Sequence, residues 1–224
     1  ADLIAPKRKS AQVAQHSSGM VDIVLPVYRD LQVTRDCIES VLASDYRKRA
    51  RLLVYNDKSP EPAVTHYLRE VAQRHPEVEL FENAENLGFV RTVNAGMAVA
   101  LSRPDSLGAL LLNSDTIVSD DWVQRLLAHL GDGVGSVTAL SNNATICSWP
   151  KLGVNALPAG MSAADVDTLT REVNAGVSVD IPTGVGFCML ISRAALEKAG
   201  LFDVEAFGKG YGEENDFCMR SAKL

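Results

Sequence analysis

The sequence predicts an α/β protein in which a mostly parallel central sheet carries helices on both faces. Short apolar runs rich in β-branched residues alternate with segments of helical spacing, and this alternation repeats at the interval of strand–helix units. The chain has 224 residues, which is enough for one large domain with a sizeable core.

The first half of the chain supplies the repeating units. Residues 21–28 form the first predicted strand, a β-branched run interrupted by Pro26. Further strands are predicted at residues 51–55, 78–81, 107–112 and 134–140. The intervening helices are predicted at 34–44, from a Ser59 cap and Pro60 to about residue 74, at 90–101, and after a Ser119 cap.

The second half of the chain does not continue this alternation of strands and helices. Its predicted elements are a loop-rich stretch at 141–158, a helix at 162–173 with Asp165 in a capping box, a strand at 185–191, a short helix from Ser192 to Gly200, and a last helix from Glu213. We therefore expect one domain at 20–224, in which a small mixed-sheet half (141–224) is added to the parallel half (20–140). Residues 1–19 are expected to be a flexible extension, and the natural protein is expected to continue beyond residue 224.

Composition and charge exclude several classes of function. The formal net charge of −6 argues against a general nucleic-acid binder, which needs a basic surface. The four cysteines lie far apart without a CxxC pair, which favours buried reduced thiols over a zinc site. Because the sequence shows neither a run of membrane-spanning length nor a signal-peptide core, we expect a cytoplasmic protein.

Four predicted strands of the first half end at Pro26-Val27-Tyr28, Asn56-Asp57-Lys58-Ser59, residues 83–88, and Asn113-Ser114-Asp115. Three of these ends carry polar side chains immediately after an apolar run. Any one of them could be an ordinary turn, since Asn and Asp favour turns for local hydrogen-bonding reasons. Ligands of open α/β sheets bind outside the carboxyl ends of the strands, so several polar ends at one edge predict a binding site there.

Asp115 is the clearest candidate for a metal ligand. It follows the apolar run 109–112, which would deliver its carboxylate from the core into the predicted crevice. Hard divalent cations prefer oxygen ligands and keep open positions for phosphate oxygens. The alternative is that Asp115 simply begins the turn into the next helix, and both interpretations can hold together.

Taken in order, these motifs resemble the inverting family-2 glycosyltransferases of the GT-A type, and the resemblance covers residues 21–224. It rests on the strand ends above together with Asn86-Leu87-Gly88-Phe89, Asn94, Gly96, Gly184-x-Gly186 and Gly212-Glu213-Glu214-Asn215-Asp216-Phe217. It implies an enzyme that transfers a sugar from a nucleotide diphosphate sugar to an acceptor hydroxyl.

The resemblance also implies roles for residues of the donor site. Those expected to bind the nucleotide sugar are Pro26, Val27 and Tyr28 around the base, Asp57 as a hydrogen-bond acceptor for the base ring, Asn86, Gly88 and Asn94 as the floor of the site, and Asn113, Ser114 and Asp115 at the diphosphate. Asp115 would be the last member of the family's Asp-x-Asp motif and would hold Mn²⁺ or Mg²⁺. The sequence departs from the motif at Asn113, which stands where the first aspartate is expected.

On the acceptor side, the resemblance implies that Gly184 and Gly186 approach the transferred sugar or the acceptor. Trp149 is expected to contact the acceptor as well, because it lies in the loop-rich stretch. Glu214 is expected to be the general base, and a helix N-terminus would keep its carboxylate ionised. Glu213 and Asp216 are placed behind it, on a different side of the helix from Phe217. Acids are also common in first helical turns for dipole reasons alone, and Asp216 may simply pair with Arg220.

The expected substrates follow from the resemblance alone. They are a UDP- or dTDP-linked sugar and a glycan or lipid-linked acceptor, in the synthesis of surface polysaccharide or glycoconjugate, with peripheral association at the inner face of the membrane. Two alternatives stay open: a catalytically inactive transferase-like module that binds glycans, and a sugar-phosphate nucleotidyltransferase. The second would need a Gly-rich loop with arginine after the first strand, where this chain has Pro26-Val27-Tyr28-Arg29-Asp30.

Overall fold

The computed structural model describes residues 9–10, 18–208 and 210–223 of the chain. The strands are β1 (Lys9–Ser10), β2 (Met20–Val27), β3 (Ala50–Asn56), β4 (Val78–Glu82), β5 (Ser106–Leu112), β6 (Ser136–Thr138), β7 (Val177–Ser178) and β8 (Cys188–Ser192). The α-helices are α1 (Leu31–Ala43), α2 (Pro62–Arg74), α3 (Gly88–Ser102), α4 (Trp122–Ala128), α5 (Ala163–Val173), α6 (Arg193–Ala199), α7 (Val204–Phe207) and α8 (Glu213–Ser221).

Six of these strands form one mixed sheet in the order β4-β3-β2-β5-β8-β6. Strands β2, β3, β4 and β5 are parallel neighbours, whereas β8 runs antiparallel between β5 and β6. The predicted α/β class with a mixed edge is therefore confirmed. The predicted fifth parallel strand, here β6, does not adjoin β5, because β8 returns from the second half of the chain and occupies that place.

Both faces of the sheet are covered by helices, as predicted. Ile23 and Leu25 of β2 pack in the cluster that includes residues of α1 and α2, whereas Val24 packs in the cluster that includes residues of α3 and α6. Gly96 of α3 lies so close to Val24 that a β-carbon there would overlap the valine side chain. This close approach seats α3, and the turn that precedes it, against the middle of the sheet.

Two helix starts differ from the prediction. The Ser59 backbone N–H donates to Asn56 Oδ1 and the Ser59 hydroxyl accepts from Glu61 N, so the chain makes a turn before α2 begins at Pro62. Likewise α4 begins at Trp122 after Asp121, not at a Ser119 cap. The capping box of Ser162 with Asp165 and the Ser192 cap are confirmed.

The predicted flexible extension at 1–19 lies largely outside the described residues. Within it, Lys9–Ser10 forms β1, which pairs antiparallel with β7, a strand that the sequence did not predict. Of the helices in the described residues, not one has both the length and the apolar character needed to cross a bilayer.

Candidate active site

A cleft of about 500 Å³ opens at the carboxyl ends of β2, β3 and β5. It is lined by Pro26, Val27, Tyr28, Arg29, Asp30, Val33, Asp57, Phe89, Asn113, Ser114 and Asp115. Three stretches far apart in sequence thus meet at one edge, because parallel neighbours end at the same side of a sheet. The structure places the carboxylates of Asp57 and Asp115 in the same cleft.

Asp57 is buried and holds the turn that precedes α3. Its Oδ1 accepts hydrogen bonds from Asn83 Nδ2 and Leu87 N, both at 2.8 Å, and its Oδ2 accepts one from Gly88 N at 2.9 Å. Three of the roughly four acceptor sites of the carboxylate are therefore used inside the protein, and Oδ2 keeps room for one more donor. Asp57 both shapes the cleft wall and presents an acceptor to it.

The residues predicted to form the floor of the donor site, Asn86, Gly88 and Asn94, make hydrogen bonds within the protein. Asn86 Oδ1 accepts from Gly88 N, and Gly88 has a φ of 76°, a left-handed conformation that suits glycine. Asn94 is not among the residues lining the cleft. Its amide donates to Phe202 O at 2.8 Å and accepts from Phe202 N at 3.1 Å, so it links α3 to the loop after α6, and its role in the floor stays a prediction.

Asp115 stands at the mouth of the cleft with its side chain exposed. Within the described part of the chain its carboxylate has neither an ion-pair partner nor a hydrogen-bond donor. Asn113 is anchored below it through its backbone, with N donating to Phe187 O at 2.8 Å. The Cys37 thiol lies beneath this loop, and burial raises its pKa to about 12, so it stays protonated.

These residues fit a cation of the Mg²⁺ or Mn²⁺ type better than a zinc ion. The described residues contain no group of three His, Cys, Asp or Glu side chains that could enclose a metal. An ion at Asp115 would take most of its oxygen ligands from phosphate and water, which is how Mg²⁺ is commonly bound in phosphate-handling sites.

A second cavity, of about 260 Å³, lies beside the N-terminus of α8. It is lined by Thr145, Ile146, Thr183, Gly184, Val185, Glu214 and Asn215. Glu214 Oε1 accepts from Gly186 N at 3.1 Å, and a β-carbon at Gly186 would come within 2.5 Å of this oxygen. Trp149 is not among the lining residues. The loop presents Thr145 and Ile146 there, and the contact of Trp149 with the acceptor stays a prediction.

The consecutive residues Gly186 and Phe187 link Glu214, which lines the smaller cavity, to the loop that carries Asp115. On one side Gly186 N binds the Glu214 carboxylate, and on the other Phe187 O accepts from Asn113 N and from the Thr116 hydroxyl. Glu214 is therefore connected to the Asp115 loop through two residues of backbone.

The three acids of α8 have different surroundings. Glu213 is buried together with Phe217, one helical turn away, which corrects the prediction that these two residues lie on different sides. Asp216 pairs with Arg220 at 2.7 Å, and Arg220 donates to the carbonyls of Ala199 and Leu201. Asp216 thus helps fix α8 to the end of α6, which confirms its predicted pairing with Arg220, and its place behind Glu214 stays a prediction.

Burial raises the pKa of Glu213, and the neighbouring Glu214 carboxylate adds to the effect. One of its oxygens, Oε2, is buried and has no hydrogen-bond partner among the residues that the structure describes. Since the folded pKa lies above the ordinary value of 4.5, the unfolded chain loses this proton first. The stability of the wild type should therefore fall as the pH rises from below 4.5 through the folded pKa.

Glu213→Gln removes this ionisation, so we expect its melting temperature to rise relative to wild type as the pH is raised from 4 to about 8. Thermal unfolding across that range measures the difference. Glu172→Gln, which removes an exposed carboxylate of α5, is the matched control for the loss of one charge. A difference between Glu213→Gln and wild type that stays constant with pH would contradict the assignment.

Several lining residues were not predicted as site residues. Arg29 and Asp30 directly follow the predicted strand end, and Phe89 directly follows Gly88, so adjacency to a motif was the available signal. Asn215 follows Glu214 and accepts a 2.7 Å hydrogen bond from the Thr183 hydroxyl. Thr183 and Thr145 carry no signal in the sequence, because their positions depend on how the second half folds back.

Comparison with known proteins assigns a family. The model of glycosyl transferase family 2 matches residues 22–200, most of the chain. Among curated relatives, an N-acetylglucosaminyltransferase of Bradyrhizobium elkanii is 26% identical over 133 residues, covering 56% of this chain and 70% of that protein. An uncharacterized glycosyltransferase of Haemophilus influenzae is 22% identical over 111 residues, covering 50% of this chain and 32% of that protein.

Solved structures share the fold at lower identity. The mannosyltransferase PcManGT of Pyrobaculum calidifontis, in complex with GDP-Man and Mn²⁺, superposes with a TM-score of 0.61 at 17% identity, covering 93% of this chain and 53% of that one. GalNAc-T7 with UDP, GalNAc and Mn²⁺ gives a TM-score of 0.67 at 14% identity, covering 92% and 41%. The chain therefore spans about half or less of these structures and about a third of the Haemophilus relative.

Proposed function

The chain belongs to glycosyltransferase family 2, and on that premise we propose that it transfers a sugar from a nucleotide diphosphate sugar to an acceptor hydroxyl with inversion at the anomeric carbon. The observation that carries the proposal is the cleft in which Asp57 and Asp115 meet, together with a second cavity whose residue Glu214 is linked to the Asp115 loop through the backbone of Gly186 and Phe187. A cleft and a cavity linked in this way suit a reaction between a donor and an acceptor.

The donor is proposed to lie in the larger cleft. Tyr28 offers an aromatic surface to the base, and the remaining acceptor site of Asp57 Oδ2 can take a ring N–H. Asp115 would hold Mn²⁺ or Mg²⁺ against the diphosphate, and a bound ion would supply Lewis-acid stabilisation of the leaving group. The exposed Asp115 carboxylate supports this role, and the neutral Asn113 beside it adds no second charge to the site.

The acceptor is proposed to lie in the smaller cavity, where Glu214 acts as the general base. Its Oε1 is held by Gly186 N, so the carboxylate is oriented before the acceptor binds. Glu214 lies in the first turn of α8, and its carboxylate is the group proposed to accept a proton from the attacking hydroxyl. With one carboxylate acting as base, attack from the face opposite the leaving group inverts the configuration.

We propose a UDP- or dTDP-linked donor and a glycan or lipid-linked acceptor, as in the synthesis of surface polysaccharide or glycoconjugate. The UDP bound in the GalNAc-T7 structure supports a UDP-linked donor, and the name of the Bradyrhizobium relative supports a sugar such as N-acetylglucosamine. Ile146 in the wall of the smaller cavity, with 45% of its surface exposed, offers an apolar contact to a lipid-linked acceptor, which would bring the protein to the inner face of a membrane.

A donor screen tests the proposed function. The protein is incubated with UDP-, dTDP- and GDP-linked sugars and a panel of octyl glycosides, with Mn²⁺ or with a chelator, and released nucleoside diphosphate is measured. We expect release from a UDP- or dTDP-sugar that depends on the metal, and the product's anomeric configuration by NMR should be inverted. No release from any donor, or retention of configuration, would overturn the proposal.

A further inference from the structure

Arg29 is a basic residue in the wall of the larger cleft that the proposed function does not use. Its side chain is exposed, and its guanidinium carbon lies 5.0 Å from the centre of the Tyr28 ring. Among the described residues, no carboxylate forms an ion pair with it. A guanidinium in a binding cleft that has no carboxylate partner among the described residues is suited to an anionic ligand, because its planar donors match the geometry of phosphate oxygens.

Arg29 is the one basic residue among the described residues that line the cleft. The other charged residues of the wall are Asp30, Asp57 and Asp115, all acidic. A donor diphosphate brings about two further negative charges, and a divalent ion at Asp115 offsets only part of the total. Asn113 provides no charge to strengthen the hold on that ion. A second positive group near the diphosphate would reduce the repulsion directly.

The loop that carries Arg29 is fixed on its other side. Asp30 N donates to the Glu61 carboxylate at 3.2 and 3.3 Å, and Asp30 Oδ1 accepts from Val33 N at 3.2 Å as the cap of α1. Because these contacts hold the backbone next to Arg29, its side chain projects from an ordered position, and little loop ordering remains to be done when a ligand binds.

We propose that Arg29 binds a phosphate oxygen of the donor diphosphate, as a second cation beside the metal held at Asp115. This inference rests on the proposed function, since it names a further ligand contact in the same cleft. It implies that part of the affinity for the diphosphate survives removal of the metal. The competing arrangement, in which Arg29 stacks on the base above Tyr28, makes a different prediction for the nucleoside alone.

The test is a set of binding isotherms with Arg29→Ala, Arg29→Lys and Arg74→Ala. Arg74 lies in the last turn of α2, at the opposite end of the sheet, and its replacement removes the same charge away from the cleft. Calorimetry with UDP, dTDP and GDP, in Mn²⁺ and in a chelator, gives the affinities, and NMR titration gives those of the matching nucleosides. Thermal unfolding checks that each variant is folded.

We expect Arg29→Ala to weaken binding of the preferred nucleoside diphosphate about ten-fold with and without metal, and to leave nucleoside binding unchanged. Arg29→Lys should lie between it and wild type, and Arg74→Ala should match wild type. Equal diphosphate affinity in Arg29→Ala and wild type, or an equal loss for the nucleoside, would overturn the inference while leaving the proposed function standing. A wild type that binds none of the three diphosphates would overturn the proposed function and this inference together.

Discussion

Asp115→Ala should abolish metal-supported donor binding and lower kcat/KM for transfer by about a thousand-fold, which corresponds to about 4 kcal/mol. The reason is that the Asp115 carboxylate is exposed at the mouth of the cleft and accepts no hydrogen bond from the described residues, so its removal takes away the protein's ligand without disturbing the fold. Donor binding titrated with Mn²⁺, together with initial rates, measures both effects.

The control for Asp115→Ala is Asp132→Ala, which removes an exposed carboxylate from the turn before β6. It should leave metal dependence and rate near those of the wild type. Transfer by Asp115→Ala that is unchanged at limiting metal would mean that Asp115 is only a turn residue, which is the alternative that its sequence context left open.

Glu214→Gln should lower kcat by about a hundred- to ten-thousand-fold and leave donor affinity almost intact. Glutamine keeps an oxygen that can accept from Gly186 N, so the local structure is retained while the proton acceptor is lost. Rates at saturating donor separate this effect from binding, and donor affinity is measured independently by calorimetry.

Asp216→Asn is the informative comparison for Glu214→Gln, because both change an acid of α8. Asp216 pairs with Arg220, so its change should lower thermal stability and have little effect on kcat of the folded protein. If Asp216→Asn loses activity as severely as expected for Glu214→Gln while Glu214→Gln stays active, the assignment of the base is wrong.

The sequence predicted those features of the site that depend on the residue pattern of single strands. The apolar run before Asp115 and the β-branched run before Pro26 each specify a strand, and parallel strands carry their ends to the same edge. The meeting of Asp57 and Asp115 in one cleft therefore followed from the parallel direction of the predicted strands. The general α/β class did not depend on the exact helix caps, which is why the errors at Ser59 and Ser119 changed nothing in the cleft.

The sequence did not predict those features that depend on contacts between residues far apart in the chain. Asn94 binds Phe202, which lies 108 residues further along, and neither residue signals the other. In α8, Phe217, Cys218 and Met219 are consecutive apolar residues in a helix of nine, so helical spacing did not determine the buried side. Packing buries Phe217 with Glu213 and leaves Met219 59% exposed.

Asp115 is proposed to hold a divalent ion in the cleft it shares with Asp57. The most direct test is the anomalous diffraction of manganese in crystals grown with Mn²⁺ and the preferred nucleoside diphosphate. We expect a manganese peak at about 2.2 Å from an Asp115 carboxylate oxygen and in contact with the diphosphate. A manganese peak away from Asp115, or a diphosphate bound outside this cleft, would contradict it.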